Sequence, residues 1–117
     1  MMELIKIKKI NNFKNKLSRK QKNIYFLKKE LSLILNLYSK NVSDGVWKDY
    51  SLDYNEKYAL FCAYRSSFEK PILRIEKNKI PKGFHFTIKK KDKNLYNSSD
   101  INKIINHIYK MPKLIIS

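Results

Sequence analysis

Cysteine is nearly absent from this chain. Cys62 stands alone among 117 residues, so an internal disulfide is excluded. A single thiol in an apolar stretch is a small hydrophobe and fits a reducing cytoplasm. Glycine is almost as scarce: Gly45 and Gly83 are too few and too far apart for a phosphate-cradling loop. His85 and His107 lack a spaced partner, so no zinc pattern exists. No Ser or Cys stands in a nucleophile-elbow or triad context. Long hydrophobic runs are missing too. Met1 to Ile10 interleaves apolar residues with Lys and builds no signal-peptide core, and no run approaches the length of a membrane span. These absences lead to the expectation of a soluble cytoplasmic protein that is not an enzyme. No catalytic residue, metal, cofactor, small-molecule substrate or membrane contact is expected.

What is abundant is lysine. The net charge is +16, and only Arg19, Arg65 and Arg74 among the cations are Arg. The charge is uneven. Residues 1–29 hold ten Lys/Arg against one acid, residues 30–76 six against seven, and residues 77–117 ten against two. A nearly neutral centre thus lies between two basic flanks. Two readings stand side by side: a nucleic-acid footprint, or a coding bias toward Lys, Asn and Ile that makes ordinary solvated surfaces basic.

The neutral centre is also where periodicity is clearest. From Leu27 the apolar residues Leu31, Ile34, Leu35, Tyr38 and Val42 share one helical face, and Leu33 and Leu37 widen it. Asp44-Gly45 ends this helix, since Gly45 can adopt the left-handed conformation at low cost. Trp47, the only Trp, then folds back over the last turn. Tyr50, Leu52 and Tyr54 alternate with Asp49, Ser51 and Asp53 as a half-buried strand. Asn55-Glu56 is the expected turn. Tyr58 to Arg65, apolar on both faces, is a central strand, and Pro71 introduces a third strand from Ile72 to Lys77.

The flanks are simpler. Residues 1–23 read as a basic flexible arm, and Ile24-Tyr25-Phe26 as a short edge strand. After a loop through Pro81 and Gly83, a fourth strand runs from Phe84 to Lys89, followed by a charged turn to Lys93. Ser98, Ser99 and Asp100 supply N-cap chemistry for a second helix bearing Ile101, Ile104, Ile105 and Ile108. Pro112 ends it, and Leu114-Ile115-Ile116 is expected to add an edge strand. The predicted fold is α+β: an antiparallel four-stranded sheet with two helices packed on one face, in the order α-β-β-β-β-α. Residues 24–117 form a single domain behind the arm.

Several segments stand in a familiar order: Glu30-Leu31, Ile34-Leu35-Asn36-Leu37-Tyr38, Gly45-Val46-Trp47-Lys48-Asp49-Tyr50, Ala59-Leu60-Phe61 with Arg65, and Pro71-Ile72-Leu73-Arg74-Ile75-Glu76-Lys77. Together they resemble the alphaproteobacterial domain-of-unknown-function family 2794, over about half the chain. Leu27-Lys28-Lys29 departs from the family's Arg/Asp-rich helix start. A Lys-rich strand replaces its Gly- and Ala-containing continuation, so the resemblance is taken to end at Lys77. It implies the fold unit and no functional residue.

With that register Tyr50 faces Phe61 and Leu52 faces Ala59, and Leu73, Ile75, Phe86 and Ile88 extend this core face. The opposite face collects Tyr58, Leu60, Cys62 and Tyr64, then Ile72, Arg74 and Glu76, then His85, Thr87 and Lys89, with Asp49, Ser51 and Asp53 at one edge. The carboxylates Asp49, Asp53, Glu56 and Glu76 read as a solvated strand face rather than an acid–base or metal site. An antiparallel sheet with helices on one side leaves its other side for water or a partner. Either the arm or the Leu114–Ile116 tail covers that face, or a partner does. Arg74 reads as a cross-strand ion pair with Glu76 or Asp49, with anion contact as the competing role.

The candidate binding residues are therefore Tyr58, Leu60, Tyr64, Arg74, His85, Thr87 and Lys89. The favoured function is a non-enzymatic module for protein–protein interaction or homodimerisation through the open sheet face. The alternative is an RNA- or DNA-binding accessory protein, with Tyr58 and Tyr64 stacking on bases and Lys89 to Lys93 contacting phosphates.

Overall fold

A run of apolar residues on one helical stripe and a series of alternating strands can be buried together only by laying the stripe across one sheet face. The computed structural model shows that arrangement for residues 22–66 and 70–116, the residues it describes. The expected N-terminal arm lies outside the described residues except for its last two. Among the described residues, five antiparallel strands form one sheet in chain order. They are β1 (Asp49–Tyr54), β2 (Tyr58–Tyr64), β3 (Leu73–Ile80), β4 (Gly83–Lys90) and β5 (Lys93–Ser98). Helix α1 (Lys28–Ser43) precedes the sheet, while α2 (Ile101–Lys110) and the single turn α3 (Lys113–Ile116) follow it.

The expected sheet of four strands is corrected to five. β5 was hidden because Lys93, Asn94, Asn97 and Ser98 leave only Leu95 and Tyr96 apolar. A polar composition suits an edge strand, whose free side must not recruit other chains. Lys91 adopts a left-handed conformation (φ 55°) and reverses the chain directly after Lys90, so the expected charged turn shrinks to Lys91-Asp92. Ile88 then pairs with Tyr96 and Lys89 with Asn94, which leaves Leu95 as a bulge.

The first hairpin turns one residue later than expected. Asn55 N donates to the Tyr58 carbonyl at 3.0 Å, and Asn55 Oδ1 accepts from the backbone of Lys57 and Tyr58 at 2.8 and 2.9 Å. Glu56-Lys57 thus forms the tip, with the Asn side chain substituting for a backbone acceptor. Tyr50 faces Ala63 and Leu52 faces Phe61, two residues from the expected register. A slip of two keeps every side chain on its face, so the face assignment survives.

The core lies between the sheet and the helices. Ala59, Phe61 and Ala63 of β2, Leu73 and Ile75 of β3, and Phe86 and Ile88 of β4 meet Ile34 and Leu37 of α1 and Ile101, Ile104, Ile105 and Ile108 of α2. Fully burying a large apolar side chain contributes about 1.5–3 kcal/mol, and that gain fixes which way the sheet faces. Ile24 and Phe26 join this core from an extended segment that is not a strand; Ile24 N donates to the Asn55 carbonyl at 2.7 Å. The core stripe of α1 ends on Asn41, not on Val42, which is exposed. Asn41 Nδ2 donates to the Leu37 carbonyl at 3.0 Å, and its own carbonyl accepts from Val46 and Trp47 N. That contact, with Gly45 at φ 76°, folds the chain back on the helix end.

Trp47 is fully buried, with its ring 6.4 Å from both Tyr38 and Phe61. Its Nε1 donates to the Ile116 carbonyl at 2.6 Å. The C-terminal tail is therefore a helical turn sealing the core, not the edge strand expected from its apolar run. Asp100 caps α2 as expected, accepting from Asn102 N at 2.9 Å.

Candidate functional site

The reverse side of the sheet is set by strict alternation. On β2 the core positions Ala59, Phe61 and Ala63 are fully buried, so Tyr58, Leu60, Cys62 and Tyr64 point the other way. Cross-strand pairing builds rows from them. Leu60 stands opposite Asp53 and Glu76, Glu76 opposite Thr87, and Thr87 opposite Asn97. Cys62 stands opposite Ser51 and Arg74, and Arg74 opposite Lys89. Asn78 pairs with both Tyr58 and His85, and Asp49 with Tyr64. All seven candidate binding residues thus share one face, and Tyr58, Leu60, Tyr64, Arg74, His85 and Lys89 are half-buried on it. Cys62 and Thr87 lie deepest.

Charge on this face is graded. The β1 edge carries Asp49 and Asp53, and the β3–β4 side carries Arg74 and Lys89. Glu76 lies 2.9 Å from Lys89 Nζ, so one of the two partners expected for Arg74, Glu76 or Asp49, is held by Lys89 instead. Arg74 Nη2 donates to the Lys91 carbonyl. Tyr64 Oη and Ser51 Oγ are 3.0 Å apart. Burial pushes the Cys62 thiol up. Hydrogen bonds to Ser51 and Tyr64 and the charge of Arg74 oppose that rise, and Asp53 adds to it. The protonated thiol is thus the resting form near neutral pH, which is the form of a packing residue and not of a nucleophile.

At the β2–β3 end of the sheet the face runs into a cleft of about 620 Å³. Arg65, Lys70, Pro71, Ile72, Arg74, Lys90, Lys91 and Asp92 line it. Of these only Arg74 is among the candidate binding residues. The scarcity of Arg singles out Arg65 and Arg74, but Lys90 and Lys91 could not be placed beside them without β5, because the β4–β5 reversal carries both. Among the described residues no three His, Cys, Asp or Glu side chains group as a metal site, and no helix is long and apolar enough to cross a membrane.

Glu30 and Lys77, the outermost residues of the family-like segments, meet in space: Lys77 Nζ lies 2.8 Å from Glu30 Oε1. Residues 24–105 match the family described as Protein of unknown function (DUF2794). The chain belongs to DUF2794. The match continues past Lys77 through β4, β5 and the first half of α2, so the resemblance does not end where the Lys-rich strand begins. No curated protein and no solved structure matches the chain. In this DUF2794 member four of the residues that carry the resemblance serve the fold. Gly45 turns the chain, Trp47 anchors the C-terminal turn, and Glu30 with Lys77 ties the start of α1 to β3.

Proposed function

We propose that this DUF2794 protein is a non-enzymatic binding module that self-associates through its open sheet face. The single observation carrying this reading is the one-sided placement of every described cover: α1, α2 and Ile116 of α3 all pack into the core cluster. The C-terminal tail, one of the two internal segments available to close the reverse face, is used on the core side. The arm, the other one, lies outside the described residues.

A second copy is the occupant that the charge gradient fits. In a two-fold arrangement each patch meets itself turned around. The Asp49–Asp53 edge of one copy then opposes Arg74 and Lys89 of the other, with the half-buried Tyr58, Leu60 and Tyr64 between them. Five strands about 4.8 Å apart, each six to eight residues long, give a footprint on the order of 400 Å². That is near half of the roughly 800 Å² per partner of a standard interface, so the dimer is weak and concentration-dependent. The single buried thiol supports a reducing, cytoplasmic setting for it.

Sedimentation equilibrium from micromolar to millimolar protein tests the proposal. The expected result is a mass rising toward that of a dimer, and its loss in Tyr64→Glu. A monomer throughout that range, or a dimer that Tyr64→Glu leaves intact, would contradict it.

A further inference from the structure

Large apolar side chains exposed singly need no explanation, but a group of them set among unpaired cations does. Three exposed ones, Leu27 at 63%, Ile80 at 36% and Phe84 at 42%, share one end of this molecule. They meet where the β3–β4 hairpin outruns its neighbours. β2 begins opposite Asn78 and β5 ends opposite Phe86, so Lys79, Ile80, Gly83 and Phe84 pair only within the hairpin. Residues 79–84, Lys-Ile-Pro-Lys-Gly-Phe, are all exposed and make a protruding tip closed by Pro81-Lys82. Leu27 lies beside it at the start of α1. Its N donates to Glu30, Glu30 holds Lys77, and the Lys77 ammonium lies 4.5 Å from the Phe84 ring centroid. We propose that this tip docks the protein onto an anionic lipid surface, with Phe84 and Ile80 entering the headgroup layer.

The charge around the tip suits that occupant. Lys79 and Lys82 belong to it, and Lys28 and Lys29 stand in the first turn of α1; all four are exposed. Among the described residues none of the four is paired with a carboxylate. The acids of this end are already engaged or balanced: Glu30 by Lys77, Asp100 as the cap of α2, and Glu56 by its exposed neighbour Lys57. The chain also enters the domain here, since Ile24 N donates to the Asn55 carbonyl at the adjoining turn. Residues 1–21, which lead to that point, carry seven Lys/Arg against one acid. At the opposite end Val42, Tyr109 and Ile115 are exposed as well, but there Asp44 stands 3.7 Å from both Lys40 and Lys113. An anionic leaflet attracts unpaired lysines, and the apolar tip gains by leaving water.

A bilayer fits this tip better than a nucleic acid does. Bases stack on aromatic faces, and Phe84 is the one ring of the three, with the Lys77 ammonium already over it. Ile80 and Leu27 offer a base no such face, whereas the boundary between headgroups and acyl chains accepts any apolar side chain. The expectation of no membrane contact rests on missing spans, and a tip that lies in the interface needs no helix long enough to cross.

Co-sedimentation of the full chain with vesicles of equal parts phosphatidylcholine and phosphatidylglycerol tests the site, against vesicles of phosphatidylcholine alone. The expected result is binding to the anionic vesicles only, weakened about tenfold in Lys82→Glu and about fivefold in Phe84→Ser. Unchanged Trp47 emission shows that both variants keep the fold. Ile80→Trp puts a second reporter on the tip, and its emission should shift to the blue on anionic vesicles. Phe84→Ser should leave the sedimentation equilibrium unchanged, and Tyr64→Glu the vesicle binding, so this site and self-association fail separately. No vesicle binding, equal binding in both tip variants, or an unshifted Ile80→Trp emission on bound vesicles would overturn the proposal. A single-stranded oligonucleotide whose binding both variants weaken, while vesicle binding stays as it was, would overturn it in favour of nucleic acid.

Discussion

Lys77 Nζ is held 2.8 Å from Glu30 Oε1, on the apolar side of the sheet, with only 2% of its side chain exposed. Few lysines are buried so fully, and this one is satisfied on several sides. Its ammonium also donates to the Tyr25 carbonyl at 2.9 Å and lies 4.5 Å from the centroid of the Phe84 ring. The same Glu30 oxygen accepts from Leu27 N at 2.8 Å, so one carboxylate caps α1 and fastens it to β3.

Removing one partner of a buried pair strands the other charge, at about 3–5 kcal/mol. Lys77→Ala is therefore expected to lower unfolding free energy by about that amount in urea denaturation. Lys77→Met combined with Glu30→Gln should cost clearly less than the two single changes added together, because neither charge is then left alone. Additive losses would show that the two side chains do not act as a pair.

The bond from Trp47 to the Ile116 carbonyl closes the chain over 69 positions. Trp47→Phe keeps most of the ring but leaves a buried acceptor without its donor, at about 1–3 kcal/mol. Deleting residues 113–117 should cost more, since it also uncovers the ring and removes Ile116 from the core. The fluorescence of this single Trp reports the outcome directly: the deletion is expected to shift emission to the red in the folded state. Unchanged emission would mean that the tail does not cover the ring.

Alkaline pH acts on groups whose burial favours the neutral form. Burial pushes Tyr54 above 10.0, with Tyr50 adding to it, and pushes Cys62 above 9.0. Tyr38 is raised by burial, then by Asp49 and Tyr50. In each case the unfolded chain loses its proton first, so the unfolded state binds fewer protons in the interval between the two values. Stability is full below the unfolded values and falls as pH rises through the folded ones. Thermal midpoints measured from about pH 8 to about pH 11 should decline above about pH 9, less steeply in Tyr54→Phe. A flat profile, or no change of slope in Tyr54→Phe, would contradict this account.

Most of the fold is legible in the sequence where burial imposes a period. Ile34 and Leu37, the alternation of Tyr50, Leu52 and Tyr54 with Asp49, Ser51 and Asp53, and the isoleucines of α2 each declare a face, and the structure keeps those faces. What escapes notice is structure held by polar contacts. β5 has two apolar residues in six, so alternation cannot find it. Asn41 ends the α1 stripe because its amide and carbonyl close the turn, a role that hydropathy scores as solvent exposure. The tail forms a helical turn where a strand is expected, because a run of three apolar residues is too short to separate the two. The candidate face follows from alternation on β1 carried across the hairpin, whereas the cleft depends on the β4–β5 hairpin to bring Lys90 and Lys91 beside Arg74.

A dilution series followed by amide chemical shifts tests the central claim most directly, because it locates the contact residue by residue. Shifts that grow with concentration are expected at Ser51, Leu60, Cys62, Glu76 and Thr87, with α1 and α2 unaffected. Concentration-dependent shifts confined to the helices, or none while the protein stays monomeric at millimolar concentration, would contradict it.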